Sequence, residues 1–271
     1  MHPDLDTRAA ALTRILKEMG SVVVAYSGGV DSALVLKAAT DALGTKALGV
    51  IGVSPSLSPE DLAEARVAAA KMGVPLRELA TREFENESYA SNPLNRCYFC
   101  KAELYTRLAE LAKAEGYAFI ADGFQLDDVG DFRPGQEAGR ERNVRSPLRE
   151  AGFHKADVRA LAQALGVHTW NKPAAPCLSS RVAFGVRVSP EVVGTVAAAE
   201  RAVRRIVPDL RDLRVRHLGA EARIEADADR VADLERAFPA LDEALRALGY
   251  ATVTVSREGY RRGALVPQGA A

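Results

Sequence analysis

Residues 22–32 read Val-Val-Val-Ala-Tyr-Ser-Gly-Gly-Val-Asp-Ser, an apolar strand running through a glycine turn into a helix. A junction of this kind can hold nucleotide phosphates. Gly28 and Gly29 lack a Cβ, so the turn can take positive φ and bring backbone amides close to an anion. The helix starting near Asp31 adds unpaired N–H groups and the positive end of its dipole, while Ser27 and Ser32 each offer a hydroxyl donor. Phosphate binding by this run needs no lysine. The γ-phosphate-hydrolysing loop ends in Gly-Lys-Ser/Thr, and the Gly-Val-Asp-Ser found here argues against an ordinary hydrolase of that kind. The bland alternative is a glycine-rich connection that binds nothing.

The second set of chemical residues is the three cysteines. Cys97 and Cys100 form a Cys-X-X-Cys pair just before or within the first turn of a helix over 101–115, where the positive dipole end favours thiolate and metal binding. Tetrahedral zinc wants four ligands, and beyond these two the chain offers only Cys177 and four histidines without paired spacing. A redox dithiol, or two cysteines with no role, are the other readings of the pair. Three thiols without a fourth suit a 4Fe-4S cubane whose remaining iron stays open to an exogenous ligand such as sulfide. Cys177 lies in a loop outside any hydrophobic periodicity, with Lys172 and Arg181 close in sequence to stabilise a thiolate. This makes it a candidate nucleophile, against the alternative of a small buried side chain. Arg214 and Arg216 alternate along a strand and so share one face, an arrangement suited to a phosphate or simply to a solvated sheet surface. Glu200, on a helix over 189–206, carries no signal of its own.

These residues need a frame. Strand-like runs at 22–26, 47–53 and 117–121 alternate with helical patterns at 31–42, 59–72, 101–115 and 154–165, which predicts an α/β fold with a doubly wound parallel sheet. Ligands of such sheets sit beyond the carboxyl ends of the strands, where residues 27–32 fall. Residues 123–147 and 168–187 read as long loops. Past residue 186 a helix at 189–206, strands at 212–217 and 221–226, helices near 228–248 and a strand at 250–255 form a second, smaller α+β domain. The expected division is residues 1–186 for nucleotide binding with the cysteine loops, residues 187–262 for a substrate or oligomerisation domain, and a loose tail over 263–271.

The chain of 271 residues balances 36 Lys and Arg against 36 Asp and Glu, so no global field draws it to nucleic acid or an anionic membrane. A small substrate follows. No apolar stretch is long enough to cross a bilayer and no signal-peptide pattern opens the chain, so a cytoplasmic location is expected. A reducing compartment also disfavours disulfides among the cysteines.

The run Ser27–Ser32 resembles the PP-loop of enzymes that split ATP between its α and β phosphates. The other strings are Asn95-Arg-Cys-Tyr-Phe-Cys-Lys101, Asp122-Gly-Phe-Gln-Leu-Asp-Asp128, Asp131-Phe-Arg-Pro-Gly135, Val144-Arg-Ser-Pro-Leu148, Lys172-Pro-Ala-Ala-Pro-Cys-Leu-Ser-Ser-Arg181 and Arg214-Val-Arg216. Together, in an order and spacing that cover residues 20–226, they resemble the LarE family of ATP-dependent sulfur transferases, which serve in making a nickel-pincer nucleotide cofactor. The resemblance implies adenylation of the carboxylates of pyridinium-3,5-dicarboxylic acid mononucleotide and their conversion to thiocarboxylates, with ATP and Mg2+. It implies ATP contacts at Ser27, Gly28, Gly29, Asp31, Ser32 and Gly123, and substrate contacts at Ser180, Arg181, Glu200, Arg214 and Arg216. Cys177 becomes the catalytic sulfur residue.

Two sulfur sources are open under that resemblance. Cys177 can give up its own sulfur and end as dehydroalanine, or Cys97, Cys100 and Cys177 can ligate a 4Fe-4S cluster that carries a sulfide. Three cysteines in one chain favour the cluster type. A homo-oligomer, a sulfide donor and a downstream nickel-insertion protein are the partners implied. The chain departs from many PP-loop enzymes at Phe124-Gln125, where Thr-Asn follows Asp-Gly. Rival readings are a PP-loop tRNA thiolase, which the neutral charge balance disfavours, a carboxylate amidase similar to NAD synthetase, which leaves the cysteines unexplained, and a nucleotide-binding regulator without turnover.

Overall fold

The computed structural model describes residues 3–129, 134–173, 176–261 and 265. Residues 131–133 and 174–175 of the quoted motifs, and the expected tail apart from residue 265, lie outside the described residues. In chain order the elements are α1 (Pro3–Met19), β1 (Val22–Ala25), α2 (Val30–Leu43), β2 (Ala47–Val53), α3 (Pro59–Met72), β3 (Leu76–Ala80), α4 (Glu87–Ala90), α5 (Arg96–Glu115) and β4 (Phe119–Ala121). There follow α6 (Pro134–Glu141), α7 (Pro147–Glu150), α8 (Lys155–Ala164), α9 (Pro190–Ile206), β5 (Arg214–His217), β6 (Glu221–Glu225), α10 (Val231–Arg236), α11 (Phe238–Arg246) and β7 (Thr252–Val255). No described helix is long and apolar enough to cross a membrane.

The chain divides into two compact units. The first comprises Met1–Glu83 and Cys97–Ala175, and the second Phe84–Arg96 and Pro176–Ala271. The first unit is built on an all-parallel sheet in the order β3-β2-β1-β4, with Val22 opposite Ala47 on one side and Phe119 on the other. Its central strand is Val-Val-Val-Ala, buried throughout, as a parallel strand covered on both faces should be. Val22 and Val24 join a core with α1, α2 and α8, whereas Val23 and Ala25 join an opposite core with Tyr105 and Leu108 of α5. The expected doubly wound α/β sheet is therefore present. Strand order reverses direction between β1 and β4, and the loops following these two strands flank the switch point where such sheets place ligands.

The second unit carries the three-stranded sheet β5-β6-β7, antiparallel between β5 and β6 and parallel between β6 and β7. Val215, Ile224 and Val253 of its strands share a core with Val203 of α9 and Leu241 and Leu245 of α11. Residues 84–96 and 176–186 pack with this unit, although the sequence grouped them with the nucleotide-binding part. The reason is a set of long-range hydrogen bonds. Buried Asn92, held at φ 57°, donates through Nδ2 to the carbonyls of Ala183 at 2.7 Å and Val186 at 2.9 Å. Val188 N–H donates to the Ala90 carbonyl at 2.8 Å. No local pattern in the sequence announces such a pairing.

Candidate functional site

The phosphate loop follows β1 directly. Gly28 has φ +74°, and a Cβ there would stand 3.0 Å from the Ala65 Cβ, so this position needs glycine. Gly29 is different. Its φ of −83° and ψ of 162° are extended values open to any residue, and it serves as the N-cap of α2 without a side-chain bond. The expectation of positive φ at both glycines is thus corrected to one, because the helix entry needs only one reversal. Ser32 Oγ accepts from Ser27 N–H at 3.0 Å, lies 3.1 Å from Ser27 Oγ and donates to the Gly29 carbonyl at 3.2 Å. The two hydroxyls therefore brace the loop from within, and the amides and the α2 N-terminus remain its anion-facing groups.

The loop after β4 lies on that same N-terminus. A Cβ on Gly123 would fall 2.7 Å from the Ser32 nitrogen and 2.9 Å from the Asp31 carbonyl carbon, so only glycine permits the approach. Asp122, just before it, is buried and accepts from Ser146 Oγ at 2.8 Å, Phe124 N–H at 3.2 Å and Tyr105 OH at 3.1 Å. Burial pushes its carboxyl above the usual carboxylate range, while these bonds and Lys101 oppose the shift. Burial likewise drives the Tyr105 phenol well above its ordinary value. A cavity of about 380 Å³ opens beside Asp122, lined by Phe124, Gln136, Arg145, Ser146 and Arg149 among others. Phe124 contributes its N–H to Asp122, and Gln125 accepts from Asp127 N–H at 2.8 Å, so the Phe124-Gln125 departure is absorbed into a well-bonded turn.

Cys97 and Cys100 sit on the first turn of α5, three residues apart on one face, Cys97 exposed and Cys100 half-buried. Cys177 belongs to the second unit. Among the described residues no three or more His, Cys, Asp or Glu side chains are gathered into a group that could hold a metal.

In the second unit Cys177 caps a short 3₁₀ turn, Leu178–Arg181, and its thiol-bearing residue is exposed. Its carbonyl accepts from Ser180 N–H at 2.9 Å, Ser180 Oγ at 2.7 Å and Arg181 Nη1 at 2.9 Å. Ser179 is held in turn by the buried guanidinium of Arg96, which donates to its carbonyl at 2.8 Å, and by Tyr89 OH, 2.8 Å from Ser179 Oγ. The expected partners of a Cys177 thiolate are placed otherwise. Arg181 spends its guanidinium on the carbonyls of Pro176 and Cys177 and on Glu200, with Nε 3.0 Å from Oε1, while Lys172 pairs with Glu64 at 2.9 Å. Both cations were close in sequence to Cys177 but have carboxylates to neutralise.

Arg181, Arg214 and Arg216 are only 6 %, 6 % and 5 % exposed, which excludes the solvated-face reading of the arginine pair. Arg216 donates from Nε to Glu225 Oε2 at 2.8 Å and from Nη1 to the Ser180 carbonyl at 3.2 Å. Glu200 Oε1 also accepts from Val215 N–H at 3.1 Å, tying α9 to β5. The guanidiniums of Arg214 and Arg216 stand 4.9 and 5.9 Å from the centroid of the Tyr260 ring. Burial, and then the neighbouring Arg181, hold the Arg214 guanidinium below its usual value. Three buried guanidiniums, with Glu200 and Glu225 beside them, make this a densely charged group.

The sequence similarities agree with this geometry. Residues 6–103, which contain the phosphate loop, match the NAD synthase family. The chain is 40 % identical over 263 residues, covering 96 % of it and 97 % of the relative, to an uncharacterized protein of Synechocystis sp.. Over 260 residues, 96 % of this chain and 94 % of the relative, it is 35 % identical to the pyridinium-3,5-bisthiocarboxylic acid mononucleotide synthase of Lactiplantibacillus plantarum. The chain belongs to the LarE family. As a member of the LarE family it is an ATP-using enzyme of PP-loop type.

Against that family's motif string, sequence reasoning missed the groups that hold the named residues in place. Lys155, Asp122, Glu225, Tyr260, Asn92 and Arg96 each act on a predicted site residue or its loop from a distant part of the chain. Of these, Asp122 and Arg96 stood inside quoted motifs. The others had no local signal beyond being polar residues on otherwise ordinary elements.

Proposed function

We propose that this chain adenylates the carboxylates of pyridinium-3,5-dicarboxylic acid mononucleotide and converts them to thiocarboxylates for nickel-pincer nucleotide synthesis. The observation that carries the reading is the Cys177 carbonyl fixed by Arg181, within a group of three buried guanidiniums. A sulfur residue beside a group of cationic side chains is what a phosphate-bearing sulfur acceptor requires. The product named for the Lactiplantibacillus plantarum relative supports the substrate class.

In this reading the amides of residues 27–32 and the N-terminus of α2 hold the β and γ phosphates, Gly123 lets the 122–128 loop close on that helix, and ATP enters with Mg2+ shielding its oxygens. Asp31 supplies a hard carboxylate donor of the kind Mg2+ takes. A substrate carboxylate oxygen bonds to the α-phosphorus, the bond to the bridging oxygen breaks, and pyrophosphate departs with the electron pair. Ser180, Arg181, Arg214 and Arg216, with Glu200 orienting Arg181 and the β5 backbone, hold the substrate phosphate. Sulfur attack on the acyl carbon then expels AMP.

In the recyclable form of this reading Cys97, Cys100 and Cys177 would hold a 4Fe-4S cluster, three thiols being the donor set such a cluster takes when one iron stays open. When bound, such a cluster would supply a sulfide for transfer and let the protein be reused. The exposed Cys177 thiol on a fixed backbone favours a second route. There the thiolate itself attacks, AMP leaves, a base removes the Cys177 Cα proton and the Cβ–S bond breaks, giving the thiocarboxylate and dehydroalanine. Iron and acid-labile sulfide in protein purified without oxygen separate the two. A near-stoichiometric cluster that is lost in Cys97→Ala supports the recyclable route. No cluster after reconstitution, with a dehydroalanine mass loss at Cys177 for each transfer, supports the sacrificial one. Wild-type protein that forms neither thiocarboxylate nor pyrophosphate with this substrate sinks the proposal.

A further inference from the structure

The apolar core of the second unit does not account for Tyr260. That core takes in Tyr250 and Val253 and has Phe238 and Val255 packed against it, and the half-buried Tyr260 is not among its members. The ring stands instead against two guanidiniums, 4.9 Å from Cζ of Arg214 and 5.9 Å from Cζ of Arg216.

The main chain fixes this placement. Gly259 has φ +69°, and a Cβ there would fall 2.9 Å from the Ala226 carbonyl oxygen and 3.0 Å from the Ala228 Cα, so the position needs glycine. Tyr260 N–H donates to that same Ala226 carbonyl at 2.6 Å, and Gly259 N–H donates to the Ser256 carbonyl at 3.3 Å. A tight turn after β7 thus delivers one aromatic side chain to the pair of arginines on β5.

An aromatic ring does for a cation what a carboxylate cannot. Arg181, Arg214 and Arg216 are buried near one another, and burial, followed by Arg181, works against the charge on Arg214. A carboxylate offsets such repulsion by cancelling charge, as Glu225 Oε2 does for Arg216 at 2.8 Å. A ring attracts a guanidinium through its quadrupole and carries no net charge, so it holds the side chain and leaves the positive charge to act on an anion. Two guanidiniums oriented by one ring present their remaining N–H groups in a fixed geometry.

We propose that Tyr260 is a positioning residue for the substrate phosphate, holding Arg214 and Arg216 in register for a phosphomonoester without itself cancelling their charge. The inference rests on the assignment of these arginines to the phosphate of the mononucleotide made above.

Calorimetric binding to the full chain tests it, with the pyridinium dicarboxylate mononucleotide, the corresponding nucleoside without phosphate, and inorganic phosphate as probes. Tyr260→Leu is expected to bind the mononucleotide roughly tenfold more weakly, the scale of a desolvated cation–π contact, and the nucleoside as wild type does. Tyr260→Phe keeps the ring and recovers most of the affinity. Tyr260→Glu can still pair with the guanidiniums but sets a negative charge against the phosphate, and should bind the mononucleotide about 10²-fold more weakly. In turnover Tyr260→Leu raises the KM for the mononucleotide about tenfold and leaves kcat and the KM for ATP at wild-type values, as loss of uniform binding does. Equal losses for mononucleotide and nucleoside would make Tyr260 a structural prop and overturn the proposal, as would no loss for either, or a Tyr260→Glu protein that binds as tightly as Tyr260→Phe. Should wild type bind no mononucleotide, the functional reading falls, and inorganic phosphate alone decides Tyr260: tighter binding by wild type than by Tyr260→Leu upholds the role, and equal or absent binding overturns it.

Discussion

The two regions proposed to face anions are built on opposite principles. In the first unit a glycine turn, a helix N-terminus and two hydroxyls make a site from backbone, with a single lysine brought in from α8 and neutralised by Asp31. The second unit gathers three buried guanidiniums with the carboxylates of Glu200 and Glu225, from a 3₁₀ turn, α9 and the edge strand β5 with its neighbour β6. The first design depends on where the main chain lies and fails when a Cβ intrudes. The second depends on charge balance in a low-dielectric interior and fails when one partner is removed.

The sharpest way to break the comparison is at the buried pair. Glu225→Ala leaves the Arg216 guanidinium buried without its carboxylate, and the expected loss of stability is about 3–5 kcal/mol, read by denaturant unfolding of the second unit's transition. If the variant unfolds as wild type does, the charge-balance account of this region is wrong. Next in size is the backbone site. Gly123→Ala puts a methyl 2.7 Å from the Ser32 nitrogen and should slow pyrophosphate release by about 10²-fold, whereas Gly29→Ala, whose Cβ meets nothing nearer than 3.4 Å, should be close to wild type. Equal effects at both glycines would remove the distinction drawn between them.

Asp122 sharpens the picture through pH. Its folded carboxyl is held above its unfolded value by burial, so the neutral form is favoured. Native stability from this group is therefore fullest below the ordinary carboxylate range and declines as pH rises through it, levelling off above the raised value. Asp122→Asn, which stays neutral, lacks that decline. Thermal melts of the two proteins from about pH 4 to pH 8 should show the variant gaining on wild type as pH rises, and parallel curves would contradict the assignment. The smallest effect belongs to the exposed pair Arg187 and Glu87, where Arg187→Ala should leave the melting temperature unchanged within error despite hydrogen bonds as short as those of Arg216.

How much of each region was legible in the sequence follows from the same contrast. A backbone site is written locally, and Val22–Ser32 announced strand, turn and helix in order because each step depends on adjacent residues. Gly29 was over-read, since a glycine in a motif does not say which position takes the unusual φ. In the second unit the shared face of Arg214 and Arg216 was legible from strand alternation, but their burial was not. That burial depends on Glu225 across the strand pair and Tyr260 near the chain's end. Edge strand β3, Leu-Arg-Glu-Leu-Ala, went unread because two charges interrupt a short and largely exposed run. Helix α6 was hidden in a stretch whose glycines and charges read as loop. Lys155 could not have been found by spacing, since 124 residues separate it from its partner.

The second unit is assembled from two pieces of chain, and this bears on the order in which the protein is made. Phe84–Arg96 leaves the ribosome well before Pro176–Ala271, yet Asn92, Arg96 and Tyr89 each bond to partners in that later piece. The first unit's sheet is complete once β4 has emerged, whereas residues 84–96 must wait through the synthesis of α5 to α8 with their polar side chains in water. Translation pauses in that interval would lengthen the exposure of this strap, and a fragment starting at Pro176 would lack the donors that hold the carbonyls of Ser179, Ala183 and Val186.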